Sequence, residues 1–169
     1  MKTDILTNGN VLLKKMTEAD ANFQYNLYSQ PELLKNYDEL PVLEGESPQQ
    51  FTKRIISACE YIWTVRLVDA PDKAIGDCAL HHWDKDNAEI LIGGALLPEY
   101  WGQGIMQTAF ELLIGVAKEN LKVKKMLGYT KTRNLKAIRL VEKMGFEKVS
   151  SDERDTVMQK RLDDNQLVK

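Results

Sequence analysis

A chain of 169 residues, 43% hydrophobic and 28% charged, fits one compact domain over residues 1–169 and leaves little room for a second. Its 23 lysines and arginines against 25 aspartates and glutamates give a net charge of -2, without the basic excess that sustained binding to a phosphate backbone requires, so no nucleic-acid partner is expected. No apolar run resembles a signal peptide or approaches the ~20 residues that span a bilayer, which predicts a cytoplasmic protein with no membrane partner. Cys59 and Cys78 have no CxxC or HxxxH companion and His81 and His82 are the only histidines. No metal site is expected, and the cysteines read as reduced core thiols, one on a helix and one on a strand.

In chain order, Val11 to Lys14 predicts a short strand, and Thr17 opens a helix with Ala19, Phe23 and Leu27 on one face. Gln30 to Glu46 contains Pro31, Pro41 and Gly45 and reads mostly as a loop, long enough to be functional. Ser47-Pro48-Gln49-Gln50 has the form of a capping box with proline at the first helical position, and Phe51, Ile55, Cys59 and Ile62 continue a buried stripe. Near Tyr61 the period changes to two, with Trp63, Val65 and Leu67 on one side and Thr64 and Arg66 on the other. Turns at Ala70–Lys73 and Asp84–Asn87 return the chain into Ala74–His81 and Glu89–Leu97, which predicts an antiparallel meander of three strands.

Ile105, Ala109, Leu112, Leu113 and Val116 then carry the spacing of an amphipathic helix. Val123 to Thr130 reads as a strand, and Asn134 opens a helix with Ala137, Ile138, Val141 and Met144 inward, stopped by Gly145. Phe146–Val149 and Thr156–Leu162 supply two last strands before a polar tail from Asp163. The order predicts a mixed-sheet α/β (α+β) layer fold, with an uncapped sheet edge that could support a homodimer.

The most informative stretch runs from Leu91 to Met106: a strand, a glycine-containing turn and a helix start in immediate succession. The first N–H groups of a helix lack intrahelical partners and sit at the positive end of its dipole. Gly102 and Gly104 either shape a tight connection alone or also let a phosphate approach the backbone. Upstream, Gly93-Gly94 interrupts an apolar strand, which predicts a bulge that would splay this strand from its neighbour and open a slot.

Pro98-Glu99-Tyr100-Trp101-Gly102-Gln103-Gly104-Ile105-Met106, followed by Asn134-Leu135-Lys136-Ala137 and Glu142-Lys143-Met144-Gly145-Phe146, resembles the GNAT superfamily of acetyl-CoA-dependent N-acetyltransferases. Within it, the GQGIM turn and EKMGF ending most resemble the ribosomal-protein alanine N-acetyltransferase branch. The resemblance implies a mixed, mostly antiparallel sheet with a splayed strand pair and helices on both faces. It implies acetyl-CoA as cosubstrate, with the backbone amides of Gly102, Gln103, Gly104, Ile105, Met106 and Gln107 on the pyrophosphate. It also places Gly94, Ala95 and Leu96 along the pantetheine arm, where an amide could stabilise the thioester oxyanion, and brings Asn134 against that arm.

The chain departs from the family pattern at several positions. Trp101 stands where glutamine or arginine is usual and Met106 where a small residue is usual. Val141 occupies the position of a common catalytic tyrosine, Ala137 that of a serine, and Tyr129 that of a carboxylate. Glu89 shares a strand face with Leu91 and Gly93, so it either reaches the slot as a base or stands as a solvated edge residue. Tyr129 either moves a proton at the splayed strand or packs as a strand aromatic. His81 and His82 are expected on opposite faces, where one either faces the acceptor side or stands as a solvent-facing or core histidine. Lys131, Arg133, Lys136 and Arg139 either meet a CoA phosphate or form solvated surface. Asp38, Glu39, Glu44 and Glu46 either converge, which would favour a cationic amine, or serve ordinary solubility. The resemblance implies transfer of an acetyl group to a primary amine, either a peptide N-terminus or a small molecule; the alternative is a CoA-binding module that has lost catalysis.

Overall fold

A computed structural model of the chain describes residues 2–163. It opens with a hairpin, β1 (Ile5–Asn8) and β2 (Val11–Lys15), turning at Gly9 with φ of 55°. The sequence reading had only the second strand. The signal for the first was the Gly9-Asn10 pair between alternating residues, a two-residue hairpin turn across which Asn8 faces Val11.

Thr17 does cap a helix start, but of a single 3-10 turn over Glu18–Asp20, in which Thr17 Oγ1 accepts from the Ala19 N–H and Asp20 accepts from the Thr17 N–H. The α-helix α1 follows at Ala21–Leu27, and its inward residues are Ala21, Gln24 and Leu27, in place of the expected Ala19 and Phe23. The three-residue period of the opening turn shifts the phase of everything after it. A short helix, α2 (Pro31–Leu34), interrupts the long loop.

The predicted capping box is present at the start of α3 (Pro48–Ala58): Ser47 Oγ accepts from the Gln50 N–H at 3.2 Å and Gln50 Oε1 accepts from the Ser47 N–H at 2.9 Å. Helix passes straight into strand, because Cys59 already has extended φ and ψ of -110° and 146°. Cys59 therefore begins β3 (Cys59–Leu67) and does not end the helix. β4 (Gly76–Asp84) and β5 (Glu89–Leu96) complete the expected antiparallel meander. Thr64 and Arg66, on the polar side of β3, are buried because α1 and α3 cover that face; Arg66 meets Asp20 at 3.2 Å and donates to the Pro71 carbonyl at 3.0 Å.

After β5 come α4 (Ile105–Leu121), β6 (Lys125–Lys131), α5 (Leu135–Lys143), β7 (Glu147–Ser151) and β8 (Asp155–Arg161). Among the described residues one eight-stranded sheet forms in the order β1-β2-β3-β4-β5-β6-β8-β7, with β1 and β7 at its edges. Every neighbouring pair is antiparallel except β5–β6. The main core lies between the sheet and α4 with α5, built on Val11, Leu13, Trp63, Val65, Leu80, Ile90, Leu113, Met126, Ile138 and Met158. A smaller core under α3 joins Met16, Ile62 and Ala79 to Ile55, Ile56 and Cys59. Both cysteines are free thiols, Cys78 buried and Cys59 half-buried. No helix among the described residues is long and apolar enough to cross a membrane, and no group of three metal-ligating side chains occurs among them.

Candidate active site

The single parallel pair is where the sheet opens. β5 and β6 are in register at Glu89 with Lys125, Ile90 with Met126 and Leu91 with Leu127, and at no later residue. Beyond that point β5 stays on β4 as far as Leu96 opposite Gly76, while β6 stays on β8 as far as Lys131 opposite Asp155. Each strand follows its outer neighbour, so the edges of residues 92–96 and 128–131 part and leave backbone polar groups without a strand partner.

The expected bulge at Gly93-Gly94 does not occur. Ala79 faces Gly93 and Cys78 faces Gly94 in unbroken register, and the irregularity of this pair falls between His81 and Asp84. Gly94 is required for a different reason: a Cβ there would meet the Asp77 carbonyl oxygen at 2.6 Å and Cys78 Cα at 3.1 Å. The divergence comes from each strand keeping register with its outer neighbour, β5 with β4 and β6 with β8.

At the end of β5 the chain passes through a 3-10 turn, Pro98–Tyr100, into Trp101-Gly102-Gln103-Gly104 and the start of α4. Gly102 and Gly104 have φ of 74° and 76°, the left-handed region that a side chain disfavours, and a Cβ at either would point into open space. These glycines serve backbone conformation and leave the surface bare. Among the described residues, no backbone N–H from Gly102 to Gln107 donates to a protein acceptor, whereas the next one, of Thr108, donates to the Gly104 carbonyl at 3.1 Å. Six donors at the positive end of a 17-residue helix thus face the gap.

One cleft of about 570 Å³ brings together Gly94, Ala95 and Leu96 of β5, the loop and helix start from Gly102 through Gln107, and Asn134. Those are the ten cofactor positions expected from the sequence. Trp101 explains how the wall is fixed: its Nε1–H donates to the Leu96 carbonyl at 2.9 Å, and the Lys136 ammonium lies 4.9 Å from its ring centroid. Asn134 has a structural task too, since its Oδ1 accepts from the Ala137 N–H at 3.3 Å and caps α5. The sequence reading missed Lys143 and Leu140, which join Lys136 and Arg139 on the cleft face of α5, although their helical spacing was a readable signal. It also missed Leu33, Asn36 and Tyr37, which close the cleft from α2 and the loop after it and carry no local motif.

The four cations expected to act together divide into two sets. Lys136 and Arg139 line the cleft. Lys131 and Arg133 turn to Asp38, at 2.8 and 3.0 Å, and Arg154 joins them at 3.1 Å. The hydrogen bonds from Lys131, Arg133 and Arg154 hold the Asp38 carboxyl well below the usual carboxylate range. Glu46 is held by Arg54 at 2.8 Å, which lowers its pKa to about 2. Asp38 and Glu46 therefore do not converge into an acidic trap for a cationic amine, because each is already neutralised by its own partners.

Glu89 is not brought to the cleft. It lies at the far end of β5, five residues and roughly 16 Å of strand from Gly94, and forms an ion pair with Lys125 across the parallel register. Tyr129 stands on the diverging part of β6, opposite Val157 and two residues beyond the last β5 pair, with 63% of its surface exposed. His81 and His82 are not on opposite faces. The bulge puts His82 at φ of 53° and brings the two Nδ1 atoms to 2.6 Å. His81 Nε2 fills the space beside Gly93, and burial together with His82 lowers the His81 pKa to about 4.

Behind the cleft, at the level of Ala95, Asp77 is buried and accepts from Gln24 Nε2 at 3.1 Å and Tyr28 Oη at 2.9 Å. Thr52 completes the set by donating to Gln24 Oε1 at 2.8 Å. Burial raises the Asp77 pKa to about 6 against those bonds, which act to lower it.

A parted sheet, a helix start with free donors aimed into the gap and cations along one wall define an α/β domain with a cleft suited to an elongated anionic ligand. The acetyltransferase (GNAT) domain family matches residues 10–147, so the chain belongs to that family. Among solved structures, the fold is similar to that of a GNAT-family acetyltransferase from Bacillus anthracis (TM-score 0.78, 15% identity, covering 94% of this chain and 98% of that one). It is also similar to a probable GNAT-family acetyltransferase from Chromobacterium violaceum (TM-score 0.77, 15% identity, 96% and 88%). A third is the spermidine N-acetyltransferase from Vibrio cholerae in complex with CoA and spermine (TM-score 0.75, 19% identity, 92% and 97%). No curated protein matches.

Proposed function

We propose that this protein is an acetyl-CoA-dependent N-acetyltransferase that acts on a primary amine. The observation that carries the reading is the row of unpartnered N–H groups from Gly102 to Gln107, which opens into the same cleft as Gly94, Ala95 and Leu96. The residues fit the cosubstrate. Backbone donors at a helix start suit a pyrophosphate, Lys136, Arg139 and Lys143 suit further phosphate charge, and the unpaired edge of β5 suits an amide-bearing arm. Bound acetyl-CoA supplies an acyl carbonyl activated as a thioester, and a new C–N bond replaces the C–S bond.

The chain's own contribution is mainly placement. β5 aligns the arm and its free edge offers amides to the carbonyl oxygen, while Asn36 and Tyr37 bound the acceptor end. Neither proton-transfer candidate lines the cleft: Lys125 holds Glu89 at the wrong end, and Tyr129, exposed on the strand that parts from β5, is the one retained. A peptide N-terminus, favoured by the GQGIM and EKMGF similarity to the ribosomal-protein alanine branch, and a small amine are both acceptors of this chemistry. The test is calorimetric titration with CoA and with acetyl-CoA, followed by measurement of free CoA released with a panel of peptide N-termini and small amines, spermidine among them. Binding with release supports the enzyme. Binding without release from any amine supports the CoA-binding module, and no binding of either CoA or acetyl-CoA removes both.

A further inference from the structure

We infer that Asp38 is a positioning residue that sets the girth of the amine admitted to the cleft, by clasping the loop after α2 across the mouth where β5 and β6 part. The inference deepens the acetyl-transfer reading and rests on it.

The loop and the far side of the gap belong to segments distant in sequence. Asp38 nevertheless receives Lys131 from the end of β6, Arg133 from the turn before α5 and Arg154 from the β7–β8 hairpin, all within 3.1 Å. Arg133 adds a second tie, its Nε donating to the Lys35 carbonyl at 2.9 Å. Lys131 is itself anchored on Asp155 at 2.6 Å, so the clasp is fastened to the sheet and not to another loop.

An isolated exposed ion pair contributes little, but three cations on one carboxylate, two of them at fixed backbone positions, form a network whose members restrain each other. The restraint falls on the cleft itself. Asn36 and Tyr37, which immediately precede Asp38, line it on the side that the proposed function gives to the acceptor, and the Tyr37 ring is held edge-on to Tyr28 at 6.4 Å. Tyr28 in turn is fixed by its bond to buried Asp77. Tyr37 therefore has a rigid neighbour on one side and the clasp on the other, and only the clasp is open to solvent and to salt.

The clasp also consumes the charge that would otherwise have drawn polycations to this mouth. Selection here works by shape, with a slim amine passing under the loop and a broad one excluded while Asp38 is paired.

The experiment compares wild type, D38N and D38E, with R154A as a milder lesion. Three readouts are taken: CoA affinity by calorimetry, hydrogen exchange of the Asn36 and Tyr37 amides, and kcat/KM for n-butylamine, cyclohexylmethylamine and 2,2-diphenylethylamine. Those two amides donate to Leu33 and Leu34 and report directly on the loop. D38N is expected to leave CoA affinity within twofold, speed exchange at both amides at least tenfold, and lower the n-butylamine to diphenylethylamine ratio at least fivefold. D38E restores most of the ratio, and R154A falls between. Unchanged exchange in D38N, or an unchanged ratio across the amines, overturns the inference. Loss of CoA binding in wild type would instead overturn the acetyl-transfer reading. CoA binding with no turnover of any of the three amines would remove the acceptor role on which the clasp depends.

Discussion

The indole N–H of Trp101 donates to the Leu96 carbonyl at 2.9 Å, tying the loop that bears the free amide donors to the end of the strand that flanks the gap. The bond makes the loop and strand one rigid corner. Replacing it by phenylalanine keeps the bulk, removes the donor and leaves the carbonyl unpaired, at a cost of about 1–2 kcal/mol at a half-buried site. W101F should therefore melt several degrees lower and, because the loop is no longer tied to the strand, bind CoA several-fold more weakly. Calorimetry showing wild-type affinity would dismiss the corner as a recognition element.

Gly93 and Gly94 are adjacent, yet their substitution should give opposite results. A Cβ on Gly94 collides with the Asp77 carbonyl oxygen at 2.6 Å, while one on Gly93 meets only His81 Nε2 at 3.4 Å. G94A is expected to lose about 1–3 kcal/mol of unfolding free energy, as overpacking against backbone does. G93A should stay within about 0.5 kcal/mol, the range of substitutions that disturb no packing. Urea unfolding of both variants decides it, and equal losses would mean that the register between β4 and β5 is wrong.

Lys136 and Arg139 line the cleft from α5, in contrast to Lys131 and Arg133, which are committed to Asp38. The double variant K136A/R139A should weaken CoA at least tenfold at low salt and flatten the dependence of affinity on ionic strength, because two screened contacts are gone. The same measurement with dephospho-CoA identifies the partner: if the 3′-phosphate is contacted, the variant and wild type converge on that ligand. A salt dependence identical to wild type would place these cations outside recognition.

Asp77 and His81 predict opposing pH effects on stability. Asp77 titrates at about 6 in the fold against an ordinary 3.8, so between those values the folded state holds more protons and stability falls as pH rises. His81 is depressed to about 4 from 6.5, so across that window the unfolded state holds more protons and stability rises with pH. The two trends overlap and largely cancel in wild type. Substitution separates them: the unfolding free energy of wild type minus that of D77N should shrink by roughly 2 kcal/mol from pH 4 to pH 7. A difference that is flat with pH would show that Asp77 is not protonated more readily in the fold.

Local patterns were legible wherever one segment settles its own structure. The Ser47 capping box, the amphipathic α4 and the glycines at 102 and 104 are of this kind, and the ten cofactor positions from Gly94 to Asn134 fall on one cleft. What failed was long-range. Glu89 was placed on the correct strand face, but only the parallel register reveals Lys125 beside it. The paired glycines suggest a bulge, whereas the need for Gly94 lies in β4, a different strand. Four acidic residues on one loop gave no hint that Asp38 meets cations from positions 131, 133 and 154. In phase, too, a single 3-10 turn after Thr17 was enough to move the inward face of α1.

The lone parallel pair in this sheet has a consequence for rearranging the molecule. Parallel neighbours cannot be joined by a hairpin, so the chain must climb over the sheet through α4, and that climb delivers the helix's start to the spot where the two strands separate. Ligand capture and chain connectivity are thus one feature. A circular permutant opened at the tight turn around Asp86 should keep its affinity, whereas one opened between Leu97 and Gly104 should fold around a sheet that no longer grips anything.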